Sequence, residues 1–151
     1  MAVNKVDAQK DIAAPPDKVF QSVADYKQRP QWLPPNFSDY KVEKGGKGGG
    51  TTVTYRLKVG NRVRAYRMTV EEPLRGSALT ERDANSSLAT TWTVSRHGDG
   101  SRVSLHTEWQ GAGGVGGFFE RLFAPAALKR VYADTLSRLD RYATGQGGAR
   151  S

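Results

Sequence analysis

"TTVTYRLKVGNRVRAYRMTVEEP", residues 51–73, alternates with a period of two on either side of Gly60 and Asn61. Val53, Tyr55, Leu57 and Val59 fall on one side of its first half, and Thr52, Thr54, Arg56 and Lys58 on the other. In the second half Tyr66, Met68 and Val70 fall together, opposite Arg67 and Thr69. Side chains alternate between the two faces of a strand, so the pattern predicts an antiparallel hairpin with one apolar and one polar face, closed by a glycine–asparagine turn. A sheet of this kind must bury its apolar face against another layer.

The same period continues outward. "SDYKVEK" precedes the hairpin, and "ALTERD", "SSLATTWTVSRH" and "SRVSLHTEW" follow it, separated by "LRGS" and "GDG" turns. Together they predict a six-stranded antiparallel meander whose inner face carries Tyr40, Val42, Trp92, Val94, Leu105 and Trp109 besides the hairpin residues. The cover is predicted near the end of the chain. There Phe118, Leu122, Pro125, Leu128, Tyr132, Leu136, Leu139 and Ala143 recur at spacings of three and four. Such a helix would reach roughly 40 Å at about 1.5 Å per residue, with Pro125 either kinking it or marking a fresh start.

A short strand over residues 3–12 opens the chain, and "IAAPPDKVFQSVADYKQRPQW", residues 12–32, follows. Prolines suit a first helical turn, and Asp17 adds a favourable charge there. Val19, Phe20, Val23 and Ala24 then form a narrow apolar stripe on a short helix. Pro30 interrupts it, and a brief second helical turn around Trp32 and Leu33 fits before Pro34 and Pro35 force extended chain. The class is α+β: a strand, two short helices, six strands and a long helix.

Composition bounds the chemistry. A chain of 151 residues suits one domain with its own core, here residues 1–144 followed by a flexible tail at 145–151. The absence of cysteine rules out disulfides, thiolate metal sites and thiol catalysis, and fits a reducing cytoplasm. No leader and no run of about eighteen apolar residues is found, so a soluble protein is expected. Two isolated histidines, His97 and His106, make no metal site, and no cofactor is indicated.

This order of elements resembles the START-like helix-grip fold. The words "I-x-A-P-P-x-x-V-F", "D-Y-x-x-x-P-x-W", "T-W-T-V…G-D-G-S-R-V-S" and "FFERLFAPAALKRVYADTLSRLDRYA" resemble its polyketide cyclase/dehydrase-type (SRPBCC) branch over about residues 6–143. The resemblance implies a curved antiparallel sheet of about seven strands wrapped around the C-terminal helix, with a ligand cavity between them. It also implies that Trp32 lies near the cavity rim. The branch includes aromatases and cyclases as well as lipid and quinone carriers, so fold alone does not decide function.

The ligand-binding set expected on these grounds is Trp32, Tyr55, Tyr66, Met68, Trp92, Val94, Leu105 and Trp109, with Phe119 and Phe123 from the helix. Its rings, phenols and indole N–H groups suit a flat, mostly apolar ligand held by a few polar contacts; a filled core is the competing reading. No catalytic residue is assigned. His106 points outward by alternation, and aromatase-like relatives imply a pocket arginine, tyrosine and acid. Tyr55, Tyr66 and Glu81 could supply part of that set only if Glu81 faces inward, which its strand phase leaves open.

Two glycine runs bear a partial likeness to phosphate-binding loops. Residues 111–116, "GAGGVG", match G-x-G-x-x-G but lack a following βαβ unit, and "GGKGGGT" lacks P-loop order. They read better as a flexible access loop and a mobile hairpin. The net charge of +8 is concentrated in Arg56, Lys58, Arg62, Arg64 and Arg67, expected mostly on the outer face. Aromatics are not interleaved with them, which argues against nucleic acid, whereas weak contact with an anionic membrane surface suits a carrier.

Three functions therefore compete: a non-catalytic binder or carrier of a small hydrophobic molecule (lipid, quinone or polyketide-like aromatic), a polyketide aromatase/cyclase, and an interaction protein using the basic face. Oligomeric state is not encoded in any of these patterns.

Overall fold

The computed structural model describes residues 3–110 and 123–145. Strand β1 (Val3–Ile12) leads into helix α1 (Pro16–Ala24) and a 3-10 turn (Arg29–Gln31), the brief second helical segment. Six strands follow: β2 (Phe37–Lys44), β3 (Thr52–Val59), β4 (Arg62–Leu74), β5 (Ala78–Asp83), β6 (Ala89–His97) and β7 (Gly100–Gln110). Helix α2 (Pro125–Ala143) comes last. The strands form one antiparallel sheet ordered β1-β7-β6-β5-β4-β3-β2, so β1 pairs with the last strand and the two edges are β1 and β2. This is the helix-grip architecture.

Pro125 starts α2 rather than kinking it, as a residue with no N–H to leave unpaired does at a first helical position. At 19 residues the helix is about 28 Å long. Phe118, Leu122 and the 111–116 glycine run lie outside the described residues, as does the tail beyond Gly145. The apolar stripe of α2 is buried at Leu128, Val131, Tyr132, Leu136, Leu139 and Ala143. Its polar tie to the sheet is a chain of hydroxyls. Tyr132 bonds Thr107 of β7 at 2.6 Å, which in turn bonds Thr90 of β6 at 2.8 Å.

α1 buries Val19, Phe20, Val23 and Ala24, the stripe its spacing predicts. The glycine-rich β2–β3 connection is not the free hairpin expected. Tyr26 N donates to Gly46 O at 2.8 Å, Gly48 N to Ala24 O and Gly50 N to Val70 O, each at 2.9 Å, which fastens the loop to the end of α1 and to β4. Positive φ at Gly45, Gly46, Gly48 and Gly50 lets the backbone make these turns.

The corner between β1 and α1 is fixed from β7. Ser101 donates to Ala14 O at 2.6 Å, and a Cβ on the neighbouring Gly100 would lie 2.4 Å from the carbonyl oxygen of Ile12. Backbone cannot swing aside as a side chain can. Gly100→Ala is therefore expected to cost about 1–3 kcal/mol through overpacking, read as a lower urea midpoint at unchanged slope; an unshifted midpoint would show that this corner yields freely.

Candidate functional site

Between the sheet and α2 lies a cavity lined by aromatic and aliphatic side chains, with two charged residues in its wall, Arg29 and Glu81. The 3-10 turn and β5 bring them together. Pro30 and the hydrogen bonds from Trp32 N and Leu33 N to Arg29 O, both 2.9 Å, hold the turn. Arg29 Nε donates to Val23 O at 2.9 Å, meeting one of the unpaired carbonyls at the end of α1. Its Nη2 stands 2.8 Å from Glu81 Oε2 as an ion pair. Glu81 sits opposite Val70 of β4 and Thr90 of β6, and that register turns its side chain inward.

Tyr26 completes the cluster by donating its hydroxyl to the same Glu81 Oε2 at 2.6 Å. Its own carbonyl accepts from Tyr40 at 2.7 Å. The guanidinium lies 4.0 Å from the Tyr26 ring, 4.9 Å from Trp92 and 5.7 Å from Trp32, so it is held by cation–π contacts as well as by charge. Burial works against the charge of Arg29, but its neighbours, Glu81 foremost, more than offset it and raise its pKa. Burial pushes the Tyr26 and Tyr55 phenols well above their usual range, raises Tyr40, and takes Tyr132 up to about 12. These phenols are neutral donors at physiological pH.

Of the sequence-predicted site residues, Tyr55, Tyr66, Met68, Trp92, Leu105 and Phe123 line the cavity. Trp32 does not stand at a rim; it is 2% exposed and packs edge-on against Trp92, with ring centroids 6.0 Å apart, behind the wall. Val94 and Trp109 are buried but do not line the cavity, and Phe119 lies outside the described residues. Sequence reasoning missed Arg29 and Tyr26. It also missed how Phe37 and Tyr40, three residues apart, both reach the Tyr55 ring. A bulge at Asp39, with φ of 51°, shifts the phase of β2 between them.

The free space left among these side chains is about 30 Å³, room for a water or two at about 10–15 Å³ each. Phe123 lines both this cavity and an outer depression formed with the β3–β4 turn and the start of α2. The basic residues divide. Arg56, Lys58 and Arg67 lie on the outer face, Arg67 paired with Glu43. Arg62 and Arg64 stand opposite Val59 and Leu57 and so share the inner face at the Phe123 end, a correction to the single basic surface expected.

Both histidines are on the outside. His106 of β7 bridges Asp7 of β1 and Glu108, the latter at 2.7 Å. Hydrogen bonds to Glu108 and Asp7 raise its pKa above the ordinary 6.5, and His106 in turn lowers that of Glu108 below 4.5. A raised histidine pKa stabilises the fold below its unfolded value and the gain fades as pH rises through the folded value; a lowered carboxylate pKa does the reverse on the acid side. The clasp is thus expected to add stability between the two transitions. Comparing His106→Gln with the parent across pH should show a gap near pH 6 that narrows as the pH rises through the raised histidine value; a constant gap would refute it.

Residues 4–144 match the family model described as polyketide cyclase / dehydrase and lipid transport. The solved KanY protein is 40% identical over 96% of this chain and 100% of its own, with a TM-score of 0.84. The Zhui aromatase/cyclase from Streptomyces sp. R1128 shares the fold at 16% identity over 99% of each chain, with a TM-score of 0.74. A START superfamily protein from Mycobacterium smegmatis shares it at 12% identity over 97% and 99%, with a TM-score of 0.66. No curated protein sequence matches the chain. Among the described residues no helix is long and apolar enough to cross a membrane.

Proposed function

Because the chain belongs to the polyketide cyclase / dehydrase and lipid transport family, we propose that it binds a small hydrophobic molecule, a lipid, quinone or polyketide-like aromatic, between the sheet and α2. The observation that carries the reading is the Arg29–Glu81 ion pair, braced from behind by Tyr26, in a wall whose other described side chains are uncharged and mostly aromatic or aliphatic. A core built only for stability gains little from a buried ion pair, since apolar residues of the same volume serve as well. Polar groups converging on an apolar cavity instead orient a guest.

Uptake requires movement. Ligand cavities hold about 300–1,000 Å³, so the side chains now filling the space must turn aside. Phe123 lines both the inside and the outer depression beside the β3–β4 turn, so its displacement would join the two. That shared position supports access there rather than beside Trp32. Arg56, Lys58 and Arg67 would allow weak, salt-sensitive contact with an anionic membrane from the cytoplasmic side.

Aromatase/cyclase activity is the second reading, favoured by one observation: Glu81 faces the cavity that Tyr55 and Tyr66 also line. The Zhui protein carries that activity in its name, and its likeness here extends to the fold. Native mass spectrometry of freshly purified protein, followed by solvent extraction, tests the proposal. A stoichiometric apolar compound is the expected result. An unliganded spectrum, together with no thermal shift from any aromatic or lipid probe, would overturn it.

A further inference from the structure

We infer that the guest of this cavity is neutral and flat, presents a ketone or quinone oxygen, and is preferred over any carboxylate, fatty acids included. This rests on the binding reading above and adds the charge and hydrogen-bonding character of what is bound. The positive charge in the wall is already matched. Arg29 and Glu81 neutralise each other at 2.8 Å, with side chains 6% and 5% exposed. Among the described residues of this wall a ligand carboxylate would find no free cation, and it would lie near Glu81 in a poorly screened interior, where like charges repel strongly.

Most hydroxyls of the wall are also committed. Tyr40 donates to Tyr26 O, Thr135 to Val131 O, and Thr90 and Tyr132 share Thr107. Trp92 is different. It lines the cavity at 4% exposure, and its Nε1 has no hydrogen-bond partner among the described residues. An indole N–H can only donate, and a buried donor left unpaired costs free energy that an acceptor oxygen on a guest would recover. Among the described residues the wall therefore has a donor in want of an acceptor and no unmatched cation. Tyr55, Tyr66 and Phe123, tilted or edge-on to one another with centroids 6.0–6.4 Å apart, suit a ring system as its body.

Three probes of one ring size separate these properties by isothermal calorimetry on the full chain: 2-methyl-1,4-naphthoquinone, 2-naphthoate and 2-methylnaphthalene. The chain has no cysteine to add to the quinone. The quinone is expected to bind at least about tenfold tighter than either of the others, the worth of one net hydrogen bond. Trp92→Phe should narrow the gap between quinone and hydrocarbon by about the same factor. Glu81→Gln, which leaves Arg29 unmatched, should raise naphthoate affinity by about tenfold or more.

If the Glu81 variant does not fold, the ranking by the parent and by Trp92→Phe decides. Naphthoate binding as tightly as the quinone, or a gap untouched by Trp92→Phe, would overturn the inference while leaving the cavity reading intact. No binding of any probe would overturn both.

Discussion

Glu81→Gln is expected to destabilise the fold by about 3–5 kcal/mol, because it leaves a guanidinium charged, buried and without its counter-ion. The amide would keep an acceptor for the Tyr26 hydroxyl, so the loss isolates the charge of Glu81 from its hydrogen bond. Arg29→Met should cost a similar amount: it strands Glu81, frees the Val23 carbonyl and removes the group packed 4.0 Å from the Tyr26 ring. The double variant should be less damaged than the two losses added together, by about 2–3 kcal/mol, since neither charge is then left alone. Urea midpoints of the four proteins give the coupling directly. Strict additivity would mean that the two side chains do not depend on each other, and the cluster would lose its standing as a polar unit kept for ligand recognition.

The residues of that cluster also mark where the sequence stops being legible. The hairpin at 51–73 could be read because its period is local, and the same holds for the stripes on α1 and α2, where spacing alone names the buried side. Glu81 could not be placed that way. Strand β5 is buried on nearly every residue, so no alternation is visible, and only its register against Val70 and Thr90 shows which way the carboxylate points. Arg29 lies in a three-residue 3-10 turn that has no period at all, and a charged residue beside a proline gives no hint of burial.

Val94 and Trp109 illustrate a different limit. Alternation tells which face a side chain takes but not how far along the strand or turn the cavity extends, so residues on the correct face fall behind or beyond it. Arg62 and Arg64 show the same logic in reverse. Their parity with Tyr66 puts them on the inner face, which the eye, drawn to a run of like charges, passes over. Free volume is the least legible quantity, since it is the small remainder of side chains that nearly fill the space.

That remainder makes Leu128→Ala the second large expected effect. Leu128 lies on the first full turn of α2, is 0% exposed and lines the cavity. Its truncation should cost about 2.7–5 kcal/mol, from lost transfer energy and the void left behind. The same void should improve binding. In the parent a guest must first displace side chains that leave only about 30 Å³ free, and that displacement is charged against affinity. Dry voids of about 150 Å³ lined by aliphatic and aromatic groups take up small aromatic molecules readily. The variant is therefore expected to unfold at a lower temperature alone, yet to gain more than the parent from 2-methyl-1,4-naphthoquinone. At a ligand concentration of 100 times Kd the gain would reach about 2.7 kcal/mol, enough to return much of the loss. Thermal melts of both proteins with and without the quinone distinguish the outcomes. A destabilised variant that gains nothing would mean that α2 settles onto the sheet and closes the void, and that the space between them is core rather than binding site.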